Sequence, residues 1–213
     1  MLRTFYLFNM FMDWLSAIIF FAVGYLAYRG LKLTKAKIFL FHTSGFMLQF
    51  LGLLTHGIVM LTVFLYYPLT GTFPKLKLVF LVFSIAKMVY YILTAVGYLI
   101  IALGYALRKS EKYRILSTAP ILPLILNTNF EAFNSALTLV LVLEAAAVYL
   151  ENRERGSLKI LMAFILMFIS HALSLIAIIG TLELIFIAAR ISRYVGAILF
   201  LMFLRGVLRR VEG

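Results

Sequence analysis

The chain is a succession of apolar runs separated by short basic loops. Each run but one reaches or approaches the roughly 20 residues that a helix needs to cross a bilayer. Inside hydrocarbon no water pairs with the backbone, so only helices or closed barrels can span it. The runs are continuous rather than alternating, which selects helices over strands. Only 13% of the residues are charged, against about a quarter in ordinary globular domains. No polar stretch exceeds about a dozen residues, too few for a soluble domain. The sequence therefore predicts an all-α, polytopic membrane helix bundle. Residues 1–213 form a single integral membrane domain of a multi-pass cell-membrane protein.

Seven spans are predicted. The first covers 14–27, entered through Asp13 and ended by Arg29. A signal peptide is the alternative, but Ala27-Tyr28-Arg29 makes a poor cleavage site. The others cover about 37–66, 78–107, 130–150, 158–180 and 184–208, with a turn cluster at 68–74 between the second and third. The remaining stretch, 115–126, is short and carries Pro120 and Pro123. Charge decides whether it crosses. If it does, the loops at Arg29–Lys37, Arg108–Arg114, Arg153–Lys159 and Arg205–Arg210 share a side. That side then holds fourteen cations, against Arg3, Lys75 and Lys77 opposite. If it re-enters instead, the cations divide almost evenly. Cytoplasmic loops carry the excess of Lys and Arg, so the fourth segment crosses, with the N-terminus outside and the C-terminus cytoplasmic. The net charge of +12 then reads as loop cations meeting anionic lipid headgroups, not as a nucleic-acid surface.

The second segment carries a seam. His42, Gly45, Gln49, Gly52 and His56 are spaced three, four, three and four residues apart, on one narrow helical face. Such a face, polar and small in an otherwise apolar helix, turns toward other helices. The third segment has a seam of Lys87, Tyr91, Thr94, Tyr98 and Tyr105, and the sixth has Ala163, Ser170, Ser174, Ala177 and Thr181. Spans one to three also lie over spans five to seven. On that alignment 13–107 and 130–210 are halves joined by a short helix at 115–127, a 3+1+3 layout. Ala86-Lys87 then matches Ala189-Arg190, and Gln49 matches His171. An odd linking helix makes the halves parallel, as in parallel-repeat transporters. The layout resembles that of SWEET-type sugar transporters and seven-helix rhodopsins. The chain has no Pro-Gln pair at a helix start and no lysine in the seventh segment to carry a retinal, so no family is assigned.

The polar residues inside the spans define the candidate site. Gln49, Thr94, Tyr98 and His171 fall at middle depth and are expected to form one water-accessible pocket. His42 and Glu144 close it inward; His56, Lys87 and Arg190 close it outward. Charges at such depth cost about 2.5–3.5 kcal/mol each on insertion scales and want partners. Lys87 and Arg190 can also snorkel to the interface, the histidines and Gln49 can simply bond between helices, and Gly45 and Gly52 can simply pack. The motifs of membrane proteases, lipases and phosphate-binding loops are absent, and with them any reason to expect an enzyme. Without cysteine there is no thiolate chemistry. His42 and His56 stand fourteen apart, as for stacked haems, but two bis-histidine haems need four ligands and the chain has three histidines. No cofactor is expected. The single glutamine, the lack of cysteine and the Ile, Leu and Tyr content lean toward a thermophile. The function read from these residues is transport of a small solute or ion. The alternatives are a receptor-like sensor signalling to a cytoplasmic partner and an accessory subunit binding another membrane protein or a second copy of itself.

Overall fold

A computed structural model describes residues 2–70, 76–107, 130–180 and 182–212. Six helices run through them: α1 (Leu2–Thr34), α2 (Lys37–Thr70), α3 (Leu76–Ala106), α4 (Phe130–Asn152), α5 (Arg155–Gly180) and α6 (Glu183–Glu212). All six are long and apolar enough to cross a membrane, as expected of a multi-pass membrane protein. The proline-containing segment at 115–126 lies outside the described residues. Several boundaries differ from expectation: α1 runs on past Arg29 to Thr34 and α6 past Leu208 to Glu212, and three more differences bear on the site. α1 begins eleven residues before Asp13, so Asp13 is an interior helix residue and not the entry to a span. α2 continues through Pro68 to Thr70, where a turn was expected. α5 begins at Arg155, inside the expected basic loop.

Burial runs opposite to that of a water-soluble protein. Ile18, Leu51, Ile85, Leu143 and Ile179 are exposed, while Asp13, Glu131, His171, Arg190 and Arg193 are buried. Charged residues are almost never fully buried in a water-soluble fold unless paired. A bilayer reverses the preference, since lipid tails solvate Leu and Ile at no cost.

The helices close a ring. Each packs on the next in sequence, and α6 packs back on α1. Small residues set the closest approaches. A Cβ on Gly97 would lie 2.6 Å from the carbonyl oxygen of Gly45, and one on Gly45 would lie 2.6 Å from that of Gly97. The whole seam of α2 faces inward, as its spacing requires: His42, Gly45, Gln49, Gly52 and His56 are all buried.

The helix pairs α1–α2 and α4–α5 share a spacing. α1 ends at Thr34 and α2 begins at Lys37; α4 ends at Asn152 and α5 begins at Arg155, 118 residues further in both cases. The intervening Lys35 and Arg153, also 118 apart, take the only positive-φ conformations among the described non-glycine residues, 56° and 48°. Each closes its helix with an N–H···O bond four residues back, to Leu31 and Tyr149, an αL cap. Buried positions repeat with the same interval: Ser16 and Asn134, Ala27 and Ala145, Phe46 and Phe164. Between α3 and α6 the interval is 99, matching Tyr91 with Arg190, Thr94 with Arg193, Tyr98 with Ala197 and Ile101 with Phe200, all buried. Gly196 approaches the Ala163 carbonyl as Gly97 approaches that of Gly45. This register stands one helical turn from the sequence alignment, in which Gln49 matched His171 and Lys87 matched Arg190. Leu53 and Phe186 are their partners here. A shift of one turn keeps every residue on the same face, so seam spacing alone cannot distinguish the two.

Candidate functional site

Asp13, in the third turn of α1, has no exposed surface. Its carboxylate gathers donors from two neighbouring helices. His56 Nδ1 of α2 lies 2.9 Å from Oδ2. From α6, Arg190 and Arg193 donate to Oδ1 at 2.7 and 2.8 Å. Arg193 also donates to the Tyr90 hydroxyl of α3. A buried carboxylate needs this many partners, because an unpaired ion in low dielectric is far costlier than a paired one. The arginines also stack, Arg190 over Phe186 at 4.8 Å and Arg193 over Tyr90 at 5.8 Å from the ring centroids.

Glu131 stands 118 residues after Asp13 and does the same in the other half. Its Oε2 lies 2.8 Å from His171 Nδ1 of α5, and the Tyr91 hydroxyl of α3 is within hydrogen-bonding reach. With Nδ1–H donating to Glu131, Nε2 of the neutral ring accepts from the Tyr98 hydroxyl at 3.0 Å. Glu131, His171 and Tyr98 thus form a chain of groups that can each take or give a proton. Tyr91 reaches Glu131 from the position that Arg190 holds toward Asp13.

Below these two clusters the interior stays polar. Ser16 and Asn134 lie one turn inward of the two carboxylates, Thr94 one turn inward of Tyr90, and Gln49 two turns inward of His56. The Ser16 hydroxyl, Gln49 Nε2, Thr94 hydroxyl and both amide atoms of Asn134 are buried without a protein partner. Further in, aromatic rings fill the axis: Phe46 and Phe164 pack on Phe200 at 4.7 and 5.1 Å between centroids, with His42 against Phe46, Tyr105 and Phe200. On the opposite side of the clusters opens a cavity of about 900 Å³. Its walls are mainly apolar, and His56, Lys87, Tyr90, Tyr91 and Arg190 contribute its polar surface toward the clusters.

Of the sequence-derived site residues, Tyr98 and His171 are joined directly. Gln49 and Thr94 line the same interior, the Gln49 Cγ packing against Gly97. His56 and Arg190 meet on Asp13. Lys87 is exposed at the cavity, over the Tyr91 ring at 5.7 Å. Two residues stand apart. Glu144 is half-buried on α4, away from both clusters and with no ion pair among the described residues. His42 bonds the Ile38 carbonyl of its own helix at 2.8 Å, inside the aromatic plug. The large cavity lies at one end of the bundle, not at its middle. Asp13, Glu131, Arg193, Tyr90, Ser16 and Asn134 were missing from that set. Spacing could have found four of them, since Glu131 and Asn134, continued by Thr138, repeat the three-four rhythm of the α2 seam, and Asp13 with Ser16 begins it.

No family model, no curated protein and no solved structure matches the chain.

Proposed function

We propose that the protein is a transporter of a small solute or ion in the cell membrane, built as two parallel three-helix halves around a seventh, linking crossing. One observation carries this reading: each half buries a carboxylate on its first helix and pairs it with a histidine on its second, at matching depth. A packing bundle has no need of such pairs, which exact desolvation from every ion. Transporter repeats use them at the interface where the halves move. The solute path runs from the end cavity past the two clusters, through the partnerless polar shell, to the aromatic plug. With the cavity open and the plug shut, this is the geometry of one end state of alternating access. Glu131, His171 and Tyr98 supply the proton-exchanging groups for coupling. The protein acts without catalysis, and its basic loops sit against anionic headgroups.

The linking crossing has independent support. α3 runs inward from Tyr91 to Ala106, while α4 starts level with Tyr91, where the rings of Tyr91 and Phe130 stack at 5.4 Å. The chain between Leu107 and Phe130 therefore has to climb about 24 Å at 1.5 Å per helical residue. Cysteines at Thr72 and Asn127 should label from outside, and cysteines at Thr34 and Gly156 only after permeabilisation. Inside labelling of Asn127 would remove the crossing.

Function is tested in proteoliposomes with trapped pyranine, against a panel of sugars, amino acids, monocarboxylates and inorganic ions. A solute-dependent pH change that Glu131→Gln and His171→Gln abolish, with the fold intact, is the expected result. Saturable binding without flux for every solute would leave a sensor or accessory subunit in its place.

A further inference from the structure

We propose that the end cavity binds an amphiphilic anion: a carboxylate or phosphate head on Arg190 and Lys87, with an apolar tail along Met60, Val63, Phe64 and Phe83. The volume of about 900 Å³ is at the upper range of small-molecule sites. Its character is split. The walls are mainly aliphatic and aromatic, and the cationic groups gather where the cavity meets the ion clusters.

Arg190 decides the sign of the ligand. It is nine-tenths buried, lines the cavity, and spends NH1 on Asp13. Its Nε is enclosed and has no protein partner, so what Arg190 offers the cavity is the positive charge of its guanidinium, only one nitrogen of which is bonded to Asp13. Lys87 also lines the cavity, exposed and without an ion pair among the described residues. Asp13 does not line the cavity; its oxygens are occupied by His56, Arg190 and Arg193. The acidic group that does line it is Glu183, at the start of α6. Glu183 is seven residues before Arg190, about 10 Å further out along the helix. A head drawn to Arg190 lies clear of Glu183, and a cationic head would meet Arg190 and Lys87 instead. An anion with no tail would leave the apolar walls unfilled.

Such a ligand can come from the water phase, as a fatty-acid-like carboxylate, or from the bilayer, as an anionic lipid. It deepens the transport reading by naming the solute, but binding is measured apart from flux, so either can fail alone. Trp14, the single tryptophan, is the reporter. It follows Asp13 on α1, with Nε1 3.0 Å from the position of a Cβ on Gly57, the neighbour of His56. The whole chain is placed in phosphatidylcholine nanodiscs and titrated with octanoate and octyl phosphate, with octanol, octylammonium, acetate and inorganic phosphate as controls.

Octanoate and octyl phosphate should shift Trp14 emission saturably, each at least about tenfold more tightly than any control, the ratio for one lost charge-assisted hydrogen bond. Lys87→Gln, exposed and outside the Asp13 cluster, should weaken both by about tenfold by the same relation. Val63→Trp, which blocks the tail, is read by displacement of radiolabelled octanoate and should abolish binding. Admixed phosphatidylglycerol that competes with octanoate identifies the lipid as the natural ligand; equal affinity in both nanodiscs identifies a soluble one. Octanol or octylammonium binding as tightly as octanoate would overturn the proposal. So would affinities unmoved by both Lys87→Gln and Val63→Trp. Octanoate that binds as stated but is not carried in proteoliposomes would count against transport and not against the site.

Discussion

Asp13 and Glu131 stand 118 residues apart, equally far before the ends of α1 and α4, and are solved differently. Both hold a histidine Nδ1 from the next helix, at 2.9 and 2.8 Å. The remaining donors come from the helix that closes the ring against them, and there the halves part. α6 offers Arg190 and Arg193 to Asp13; at the corresponding positions α3 has Tyr91, which reaches Glu131, and Thr94, whose hydroxyl has no protein partner. Asp13 is hydrogen-bonded by two guanidiniums, whereas Glu131 is hydrogen-bonded by an imidazole and a phenol and feels Arg190 only at a distance. A guanidinium keeps its proton in any protein environment, so the two arginines at Asp13 add fixed charge, while the Glu131 cluster runs on through His171 to Tyr98. On the transport reading proposed above, the first cluster is the anchor and the second the proton-exchanging site.

The largest expected effect tests that division. Asp13→Asn leaves two buried guanidiniums without their counter-ion, and breaking a buried pair in this way costs about 3–5 kcal/mol. Glu131→Gln removes a charge held by neutral or titratable donors and should cost much less, about 1 kcal/mol, near that of one hydrogen bond. Thermal unfolding in detergent measures both. Equal losses would mean that the two carboxylates share one role. Restoring the cluster's net charge sharpens the test: Asp13→Asn with Arg190→Gln should recover part of what Asp13→Asn loses.

The helix crossings make the next comparison. Gly97 sits 2.6 Å, by its absent Cβ, from the Gly45 carbonyl, and Gly196 sits 2.9 Å from that of Ala163. Backbone cannot move aside as a side chain does, so Gly97→Ala should destabilise by about 1–3 kcal/mol through overpacking. Gly196→Ala should fall at the lower end of that range. Gly206, with nothing within 4 Å of a Cβ, should gain up to about 1 kcal/mol as Ala from helix propensity alone. The ordering Gly97, Gly196, Gly206 is read from unfolding midpoints, and a Gly97→Ala protein as stable as the parent would mean that α2 and α3 do not cross as closely as described.

How much of this was legible in the sequence follows from what periodicity encodes. Run length and loop charge identify membrane helices. The three-four rhythm of the α2 seam identifies a buried face, and all five of its residues are buried. Tyr98 and His171 could be paired because depth counting put them at one level. Periodicity does not encode absolute register: the alignment that pairs Gln49 with His171 and the equal 118-residue spacing of the two helix pairs, which sets Leu53 at that place, differ by one turn. Depth counting also fails at span ends. Asp13 and Glu131 begin apolar runs, where a charge reads as an interface residue. Only the extra turns of α1 before Asp13, and the closure of α6 on α1, make Asp13 interior. Glu144, placed in the inner third by depth counting, stands half-buried on α4 away from both clusters. The pairing of Asp13 with Arg190 and Arg193 joins residues nearly the whole chain apart, and no local pattern carries it.

The smallest expected effect concerns Ser16 and Asn134, which occupy the same position in the two halves one turn inward of the carboxylates. Neither side chain has a protein partner. In a dry interior each is a penalty, since an unsatisfied buried polar group costs about 1–3 kcal/mol. Ser16→Ala and Asn134→Leu would then raise stability, Asn134→Leu more because two amide atoms are orphaned. In a hydrated path water satisfies them, and removal changes stability by no more than an average interhelical hydrogen bond in a membrane, about 0.6 kcal/mol. Transport predicts the hydrated case. Ser16→Ala and Asn134→Leu should leave the unfolding midpoint nearly unchanged, while Asn134→Leu, lying between Glu131 and the plug, reduces solute-dependent proton movement. The halves should differ again: Ser16, beside the arginine-held anchor, should matter less for proton movement than Asn134. A midpoint that rises with Asn134→Leu, with no change in flux, would make the polar shell a packing defect and close the path at that level.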